Sequence, residues 1–384
     1  MIARVLCVIL QNLGDTMRVL ILSCNIGEGH NSAAKAIKDS FDSHGVYCDI
    51  VDTLRFISRS ASNIISKGHV KIYRYVPSLF NKGYKFSEDH PGVLSKRSSV
   101  NSFFNLGRSK LYRYIKDGEF DTIICTHPFT AMMYTSVKRK YGLCLKSCIV
   151  ATDYTCSPGS TQNDVDYYFI PHESLIEDFV SKGAPKEKIV CSGIPVRSIF
   201  NSACSKEEAK EKLGIPKDLP HLVMMCGSMG CGPIEEISEL LCKNVSSDFY
   251  LTVITGTNEK LYSSLEKDFW NAPNVNVRGF VRDIPLYLDS ADIYMTKAGG
   301  ISTSEAYFKG VPMAFIKAVA GCEDYNAAFF INMGAAITSD KVEDLVNKTL
   351  DVIKNKEKRE EMASAIKAKN HKNAADVIFE TLSN

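Results

Sequence analysis

The chain of 384 residues contains no run approaching the roughly 18 uninterrupted apolar residues that a membrane-crossing helix needs. That excludes a spanning helix. There is no CxxC pair, and the 13 cysteines are an odd number scattered along the chain. This excludes a disulfide framework and fits a reducing compartment, with Cys24, Cys125, Cys148 and Cys226 as small core side chains. Charge of one sign is also missing: 46 Lys and Arg stand against 44 Asp and Glu, a net of +2, so nothing draws the whole molecule to nucleic acid. Low-complexity tracts and repeats shorter than a domain are absent too. Residues 1–16, MIARVLCVILQNLGDT, are apolar after Arg4 but too short to span a bilayer, and no small-x-small cleavage site follows them. MRVLILS from Met17 looks like a natural start. The first 16 residues then read as an extension, either an upstream start codon or a short membrane-contacting tail.

What is present is a grammar of short β-rich runs alternating with helical periodicity. Strands are expected at Val19–Ser23, Tyr47–Val51, Thr122–Thr126, Ser147–Ala151 and Tyr167–Ile170. The grammar restarts at Leu222–Cys226, Leu251–Ile254, Val275–Val277, Ile293–Thr296 and Met313–Ile316. Between the first two runs, Ala33, Ala34, Ile37 and Phe41 give Asn31–Ser43 helical spacing. Alternation of this kind implies parallel sheets covered on both faces. The expectation is an α/β chain of two doubly wound, Rossmann-like domains facing a central cleft. They would be 17–198 and 199–365, joined through the proline-punctuated stretch at Pro195, Pro216 and Pro220 and followed by a C-terminal helix at 366–384. Ligands of such sheets bind beyond the C-terminal ends of the strands.

Two kinds of candidate site follow the strands. The first is NIGEGHNSAA. Gly27 and Gly29 allow close backbone approaches, and His30 begins a helix whose dipole disfavours imidazolium, so the ring stays neutral and available as a base. The run has neither the full G-x-G-x-x-G, because Ser32 occupies the last position, nor the P-loop lysine. Asp153 ends another strand; it either orients His30 or is itself the base. His127, in ICTHPF, ends a third strand, with a binding role or a turn role open to it. The second kind is MCGSMGCGPIEEI, where Gly227, Ser228 and Gly230 sit between strand and helix. It recurs at TKAGGISTSEAYF, where Gly299, Gly300 and Ser302 offer free N–H groups to a diphosphate, with Thr303 beside them. Glu305, one turn into that helix, suits two ribose hydroxyls. Glu323, Asp324 and Asn326 in GCEDYNAAFF suit the hydroxyls of a sugar. Asp164 and Asp166 spell a DVD, but no metal site is expected there.

Residues 55–116 stand apart. Thirteen Lys and Arg, from Arg55 to Lys116, face only Glu88 and Asp89, with aromatics such as Phe56, Tyr84, Phe86 and Phe103 interleaved. A solvated helical surface over ordinary core aromatics is one reading. The other is a face lying on anionic lipid. No nucleic-acid recognition fold accompanies the charge.

SCNIGEGHNSAAKAI and GFVRDIPLYLDSADIYMTKAGGISTSEAYFKGVPM, in this order, carry a resemblance. The chain resembles the diacylglycerol glycosyltransferases that include plant monogalactosyldiacylglycerol synthases and bacterial processive diacylglycerol glucosyltransferases, relatives of the peptidoglycan N-acetylglucosaminyltransferase. The resemblance implies a GT-B fold and inverting transfer of glucose or galactose from a UDP-sugar to the 3-hydroxyl of 1,2-diacylglycerol, at the cytoplasmic face of the cell membrane. No metal or other cofactor takes part. It implies uracil near Phe280 and Val281, diphosphate on Ser228 and Gly299–Ser302, ribose on Glu305, the lipid acceptor in the N-terminal domain, and His30 as base. Three departures stand out. Glu28 replaces the loop's middle glycine; it could touch the acceptor, raise the basicity of His30 or point to solvent. Cys322 replaces a glutamine that contacts the donor sugar. TDYTCSPG after Asp153 lacks the usual His and Trp. The rivals are N-acetylglucosamine transfer to a polyprenyl-linked lipid, a UDP-sugar epimerase, and a nucleotide-sugar sensor on the same fold.

Overall fold

The computed structural model describes residues 17–58, 60, 62, 68, 77–94, 98–227, 230, 232–243, 248–317, 321–367 and 372–384. The extension at 1–16, Ser228, and Lys67, Lys71 and Arg74 of the basic segment lie outside the described residues.

The first sheet holds β1 (Arg18–Ser23), β2 (Tyr47–Asp52), β3 (Thr122–Cys125), β4 (Lys146–Val150), β5 (Tyr167–Ile170) and β6 (Ile189–Cys191), in the order β2-β1-β3-β4-β5-β6. Every pairing is parallel. The apolar content of β1 follows from burial on both faces, since side chains alternate across a strand. Val19 and Ile21 pack with Ile37 and Phe41 of the helix Glu28–Ser43, while Leu20 and Leu22 pack on the opposite face with Leu111, Met133 and Tyr134. The helix begins at Glu28, earlier than its apolar period suggests, so His30 lies in its first turn.

The second sheet holds β7 (His221–Met225), β8 (Tyr250–Ile254), β9 (Val275–Arg278), β10 (Ile293–Thr296), β11 (Met313–Phe315) and β12 (Ala336–Thr338), in the order β12-β11-β10-β7-β8-β9, again all parallel. Leu222 and Met224 face one cluster with Ile237 and Leu241; Val223 and Met225 face another with Tyr307 and Phe330. Strands β6 and β12 were not foreseen. Each has three residues, too few for a period of two to show, and neither is fully buried.

In both sheets the strand order reverses once, at β1/β3 in the first and at β7/β10 in the second. The loops leaving those strands diverge there and open a crevice. The chain crosses from the first sheet to the second after β6 and returns for its last helix, Ala374–Ser383. Ile378 and Leu382 of that helix join the cluster of Ile37 and Phe41 in the first sheet, and Ser40 Oγ donates to Asp376 at 2.6 Å. Asn373, at its start, donates to the Val196 carbonyl at 3.0 Å and to Asn201 at 2.9 Å, pinning the returning chain to the outgoing one. The helix Lys206–Leu213 is anchored on the second sheet by Lys206 and Lys210, which pair with Asp292 at 2.6 and 3.7 Å. No helix among the described residues is long and apolar enough to cross a membrane.

Candidate active site

At the β1/β3 reversal, Gly27 caps the helix Glu28–Ser43 with φ of 88°, a left-handed angle that a side chain would disfavour. The turn lifts His30 over the end of β3. His30 Nδ1 lies 2.8 Å from the carbonyl oxygen of Thr126 and 3.1 Å from Thr152 Oγ1. A carbonyl only accepts, so Nδ1 carries a proton, and the lone pair of the neutral form of the ring lies on Nε2. His127 sits against it edge-on, with ring centroids 4.4 Å apart. His127 caps the helix Pro128–Tyr141, and its Nδ1 accepts from the Phe129 amide at 3.0 Å. The neutral His127 therefore carries its proton on Nε2. One crevice thus holds one imidazole set to accept and one set to donate. Glu28 is exposed at the mouth of this turn.

At the β7/β10 reversal, Gly227 follows β7 and Lys297–Gly300 follow β10. Lys297 lies between the two turns. Its Cε is 3.3 Å from where a Cβ on Gly227 would be, and its amine is 2.9 Å from the same point on Gly299. It pairs with Glu323, and both are largely buried. Gly230 turns toward β8 instead, where a Cβ would lie 2.6 Å from the Thr255 carbonyl. Glu305 points from the helix Gly300–Lys309 with no hydrogen-bond partner among the described residues. Burial pushes its carboxyl up to about 8, against a weaker pull from Arg197. Phe280, beyond the end of β9, is 63% exposed, an aromatic face left open, and Val281 beside it is half-buried.

The two reversals meet. A Cβ on Gly29 would stand 3.5 Å from Ile301, and a Cβ on Gly300 would stand 1.9 Å from the Thr152 carbonyl. Only glycine fits at 300 while the sheets are docked this way. Asp153 accepts from Asn326 Nδ2 at 2.9 Å across the junction, and burial raises its carboxyl to about 6 despite that bond. Tyr154 reaches further into the second sheet's side, stacking on Phe329 at 4.4 Å and meeting Ser304 Oγ at 3.0 Å.

Residues 30–196 match the family model of monogalactosyldiacylglycerol (MGDG) synthase, and residues 221–378 match that of the glycosyltransferase family 28 C-terminal domain. Each half of the chain thus matches a glycosyltransferase domain, and the chain is a UDP-sugar-dependent glycosyltransferase. A processive diacylglycerol beta-glucosyltransferase of Bacillus licheniformis is 27% identical over 377 residues, covering 96% of this chain and 94% of that one. Among solved structures, MurG of Acinetobacter baumannii aligns with a TM-score of 0.66 at 15% identity, over 96% of this chain and 99% of that one. The spinosyn rhamnosyltransferase SpnG, complexed with thymidine diphosphate, aligns with a TM-score of 0.63 at 12% identity, over 96% and 100%. At such identities these two speak for the fold alone, which is GT-B.

Within this glycosyltransferase several expected contacts are arranged differently. Asn326 is fully buried: Oδ1 accepts from the Tyr154 amide at 2.6 Å, and Nδ2 donates to Asp153 and to the Ala298 carbonyl, each at 2.9 Å. It joins the domains here. Asp324 is exposed and caps its own helix by accepting from the Gly321 amide at 3.2 Å. The hydroxyl of Thr303, with none of the residue exposed, donates back to the carbonyls of Gly299 and Gly300 at 3.0 and 3.1 Å. Glu323 stays in the pocket, held by Lys297. Asp164 and Asp166 lie away from the crevice, facing Lys138 at 3.7 Å each. Lys297 itself was missed. A lysine at the end of a strand reads as a solvated residue, and only the glycines around it hinted otherwise.

Of the basic aromatic segment, the helix Pro77–Asp89 leans over the crevice, with Tyr84 3.3 Å from the Cβ position on Gly321. Lys82, Lys85 and Phe86 point outward, with Phe86 52% exposed; Phe103 and Leu106, on the next helix and its end, are also exposed.

Proposed function

We propose that this enzyme moves glucose or galactose from a UDP-sugar to the 3-hydroxyl of 1,2-diacylglycerol, at the inner face of the cell membrane, with inversion at the anomeric carbon. The observation that carries the reading is the meeting of the two strand-order reversals, with His30 between them and its Nδ1–H bonded to the Thr126 carbonyl. In this reading the second sheet's side takes the donor. Uracil rests against Phe280 and Val281, and the ribose hydroxyls bond Glu305. The diphosphate lies along the turns at Gly227 and at Gly299 to Ser302, where helix N–H groups and the Lys297 amine face it. Ser228 belongs to this set on the family's pattern.

The acceptor enters from the first sheet's side. His30 Nε2 takes the proton of the lipid hydroxyl as its oxygen attacks the anomeric carbon from the face opposite the diphosphate. The bond to the departing oxygen breaks as the new one forms. Charge then grows on the diphosphate, where fixed donors stabilise it without reorganising. His127 Nε2–H and the backbone at Gly27 and Gly29 hold the acceptor's oxygens. A histidine base and a lysine at the diphosphate supply what this displacement needs, so the reading involves no metal or other cofactor. Lys82, Lys85 and the exposed aromatics bring the molecule to anionic lipid, and nucleic acid has no part.

The reading is tested by incubating the enzyme with UDP-glucose, UDP-galactose or UDP-N-acetylglucosamine and anionic liposomes containing either diacylglycerol or a polyprenyl phosphate. A diacylglycerol hexoside, identified by mass and of inverted configuration, is expected. Product only on the polyprenyl lipid, or donor conversion without acceptor, would replace the reading with one of its rivals.

A further inference from the structure

Three consecutive residues address both halves of the molecule. Thr152 Oγ1 lies 3.1 Å from His30 Nδ1, so it accepts a second arm of the hydrogen bond that sets the ring. The next two residues are held by the second sheet's side. Asp153 accepts from Asn326 Nδ2 at 2.9 Å, and the Tyr154 amide donates to Asn326 Oδ1 at 2.6 Å. Asn326 is anchored in turn to its own domain through the Ala298 carbonyl at 2.9 Å, and none of it is exposed. Thr152 is 8% exposed, and its carbonyl lies where a Cβ on Gly300 would be, 1.9 Å away. The stretch 152–154 therefore cannot move without moving either Asn326 or the helix beginning at Gly300. The sheet that places His30 and the residue that holds Thr152 lie in different domains.

We infer that Asn326 is a positioning residue, which couples docking of the C-terminal domain to the orientation of the His30 ring through Thr152. With the domains docked, Asn326 fixes 152–154, Thr152 supports the Thr126 bond, and His30 Nε2 is aimed. With them apart, 153 and 154 lose their bonds to Asn326, and the Thr152 hydroxyl beside the ring is no longer held in place. A base aimed only on closure withholds the acceptor's activation until the donor side is seated. This rests on the reading of His30 as the base.

Kinetics with diacylglycerol liposomes on four proteins separate the cases: Asn326→Ala, Thr152→Val, the double variant, and His30→Ala. Asn326→Ala is expected to lose about 10–100-fold in kcat, as a small misplacement does. Its KM for the UDP-sugar should stay within about threefold and its calorimetric affinity for UDP unchanged. Thr152→Val, which removes the hydroxyl but keeps the shape, should lose a comparable factor. The double variant should lose little more than either, because both act on one route. In 15N spectra of the imidazoles, the wild-type ring should be the Nδ1–H tautomer, and Asn326→Ala should keep that tautomer while shifting the Nδ1 signal, as Thr152→Val does. Four results would overturn the inference: losses that multiply, an unshifted Nδ1 signal in Asn326→Ala, wild-type kcat in Asn326→Ala, or a changed ranking of UDP-sugars with kcat held. The last would make Asn326 a sugar contact. If instead His30→Ala keeps wild-type kcat, the base reading falls and the inference with it. If His30→Ala is inactive while Asn326→Ala is not, the inference alone falls.

Discussion

The two strand-order reversals have the same topology and opposite chemistry. The one at β1/β3 is furnished with side chains: His30 and His127 meet there, and Asp153, beyond a third strand, turns to Asn326 across the junction. The one at β7/β10 is furnished with backbone, glycine turns leading into helix starts, plus one lysine and one half-hidden carboxyl. A proton transfer needs a group whose lone pair is aimed, which a side chain locked at one nitrogen provides. A departing diphosphate needs donors that are already in place, which helix ends provide at no reorganisation cost. On the proposed reading, one fold used twice divides the reaction between a domain that handles the proton and one that handles the charge.

The sharpest way to break that division is at His30. His30→Ala should lower kcat by about 10²–10⁴-fold, the range for a positioned general base, with UDP affinity by calorimetry unchanged. Next comes the junction. Gly300→Ala sets a methyl against the Thr152 carbonyl, an atom of backbone that cannot swing aside. kcat/KM should fall by about 10²-fold, and small-angle scattering should report a more open molecule. Wild-type activity in that variant would mean that the docked arrangement is not the working one. Lys297→Ala should cost about 10–100-fold in kcat/KM, as expected for a charge-assisted contact to the leaving diphosphate. It should cost affinity for UDP more than for uridine; equal losses for the two would remove Lys297 from the phosphates.

Glu305 gives a smaller effect with a pH signature. Its carboxyl is raised from an ordinary 4.5 to about 8, so the folded protein holds a proton there that the unfolded chain has released. That contribution to stability is full below about 4.5 and is lost as pH rises through about 8. Glu305→Gln, which cannot ionise, should therefore gain on the wild type in thermal denaturation as pH rises across that window. The variant should also bind UDP about tenfold more weakly, since ribose hydroxyls bond better to a carboxylate than to an amide. Wild-type UDP binding at pH 7 should release a proton, visible as a calorimetric heat that depends on the buffer. The smallest effect belongs to the outer surface. Lys82→Ala with Lys85→Ala should weaken binding to anionic liposomes by about 1 kcal/mol per lysine, and less at high salt. Unchanged co-sedimentation would leave the segment as a solvated face.

How much of this was legible beforehand follows from where each signal resides. Both sheets could be read because buried parallel strands are nearly all apolar, as LILS and HLVMM illustrate; even the three-residue β11 is wholly buried, whereas β6 and β12 are equally short but only partly buried. His30 and the glycine turns were visible as local departures from strand and helix. The partner that fixes the tautomer of His30 was not, since it is the carbonyl of Thr126, 96 residues away, and every residue has a carbonyl. Asn326 was chosen for its polarity, but its partners at the junction could not be read from the sequence. An amide suits sugar hydroxyls and a backbone junction equally, and only the packing of 152–154 against it decides. Glu28 and Asp324 are exposed, and no protein partner among the described residues singles out a role for either beyond the helix cap that Asp324 makes.

The central claim is that a neutral His30, aimed by Thr126, takes the acceptor's proton where the two domains meet. The most direct measurement is single-turnover transfer from UDP-sugar to diacylglycerol in liposomes as a function of pH, for the wild type and His30→Ala. The account predicts a wild-type rate that falls at acid pH with the titration of one imidazole, and a variant whose residual rate lacks that limb. A wild-type profile identical to the variant's, at a comparable rate, would contradict it.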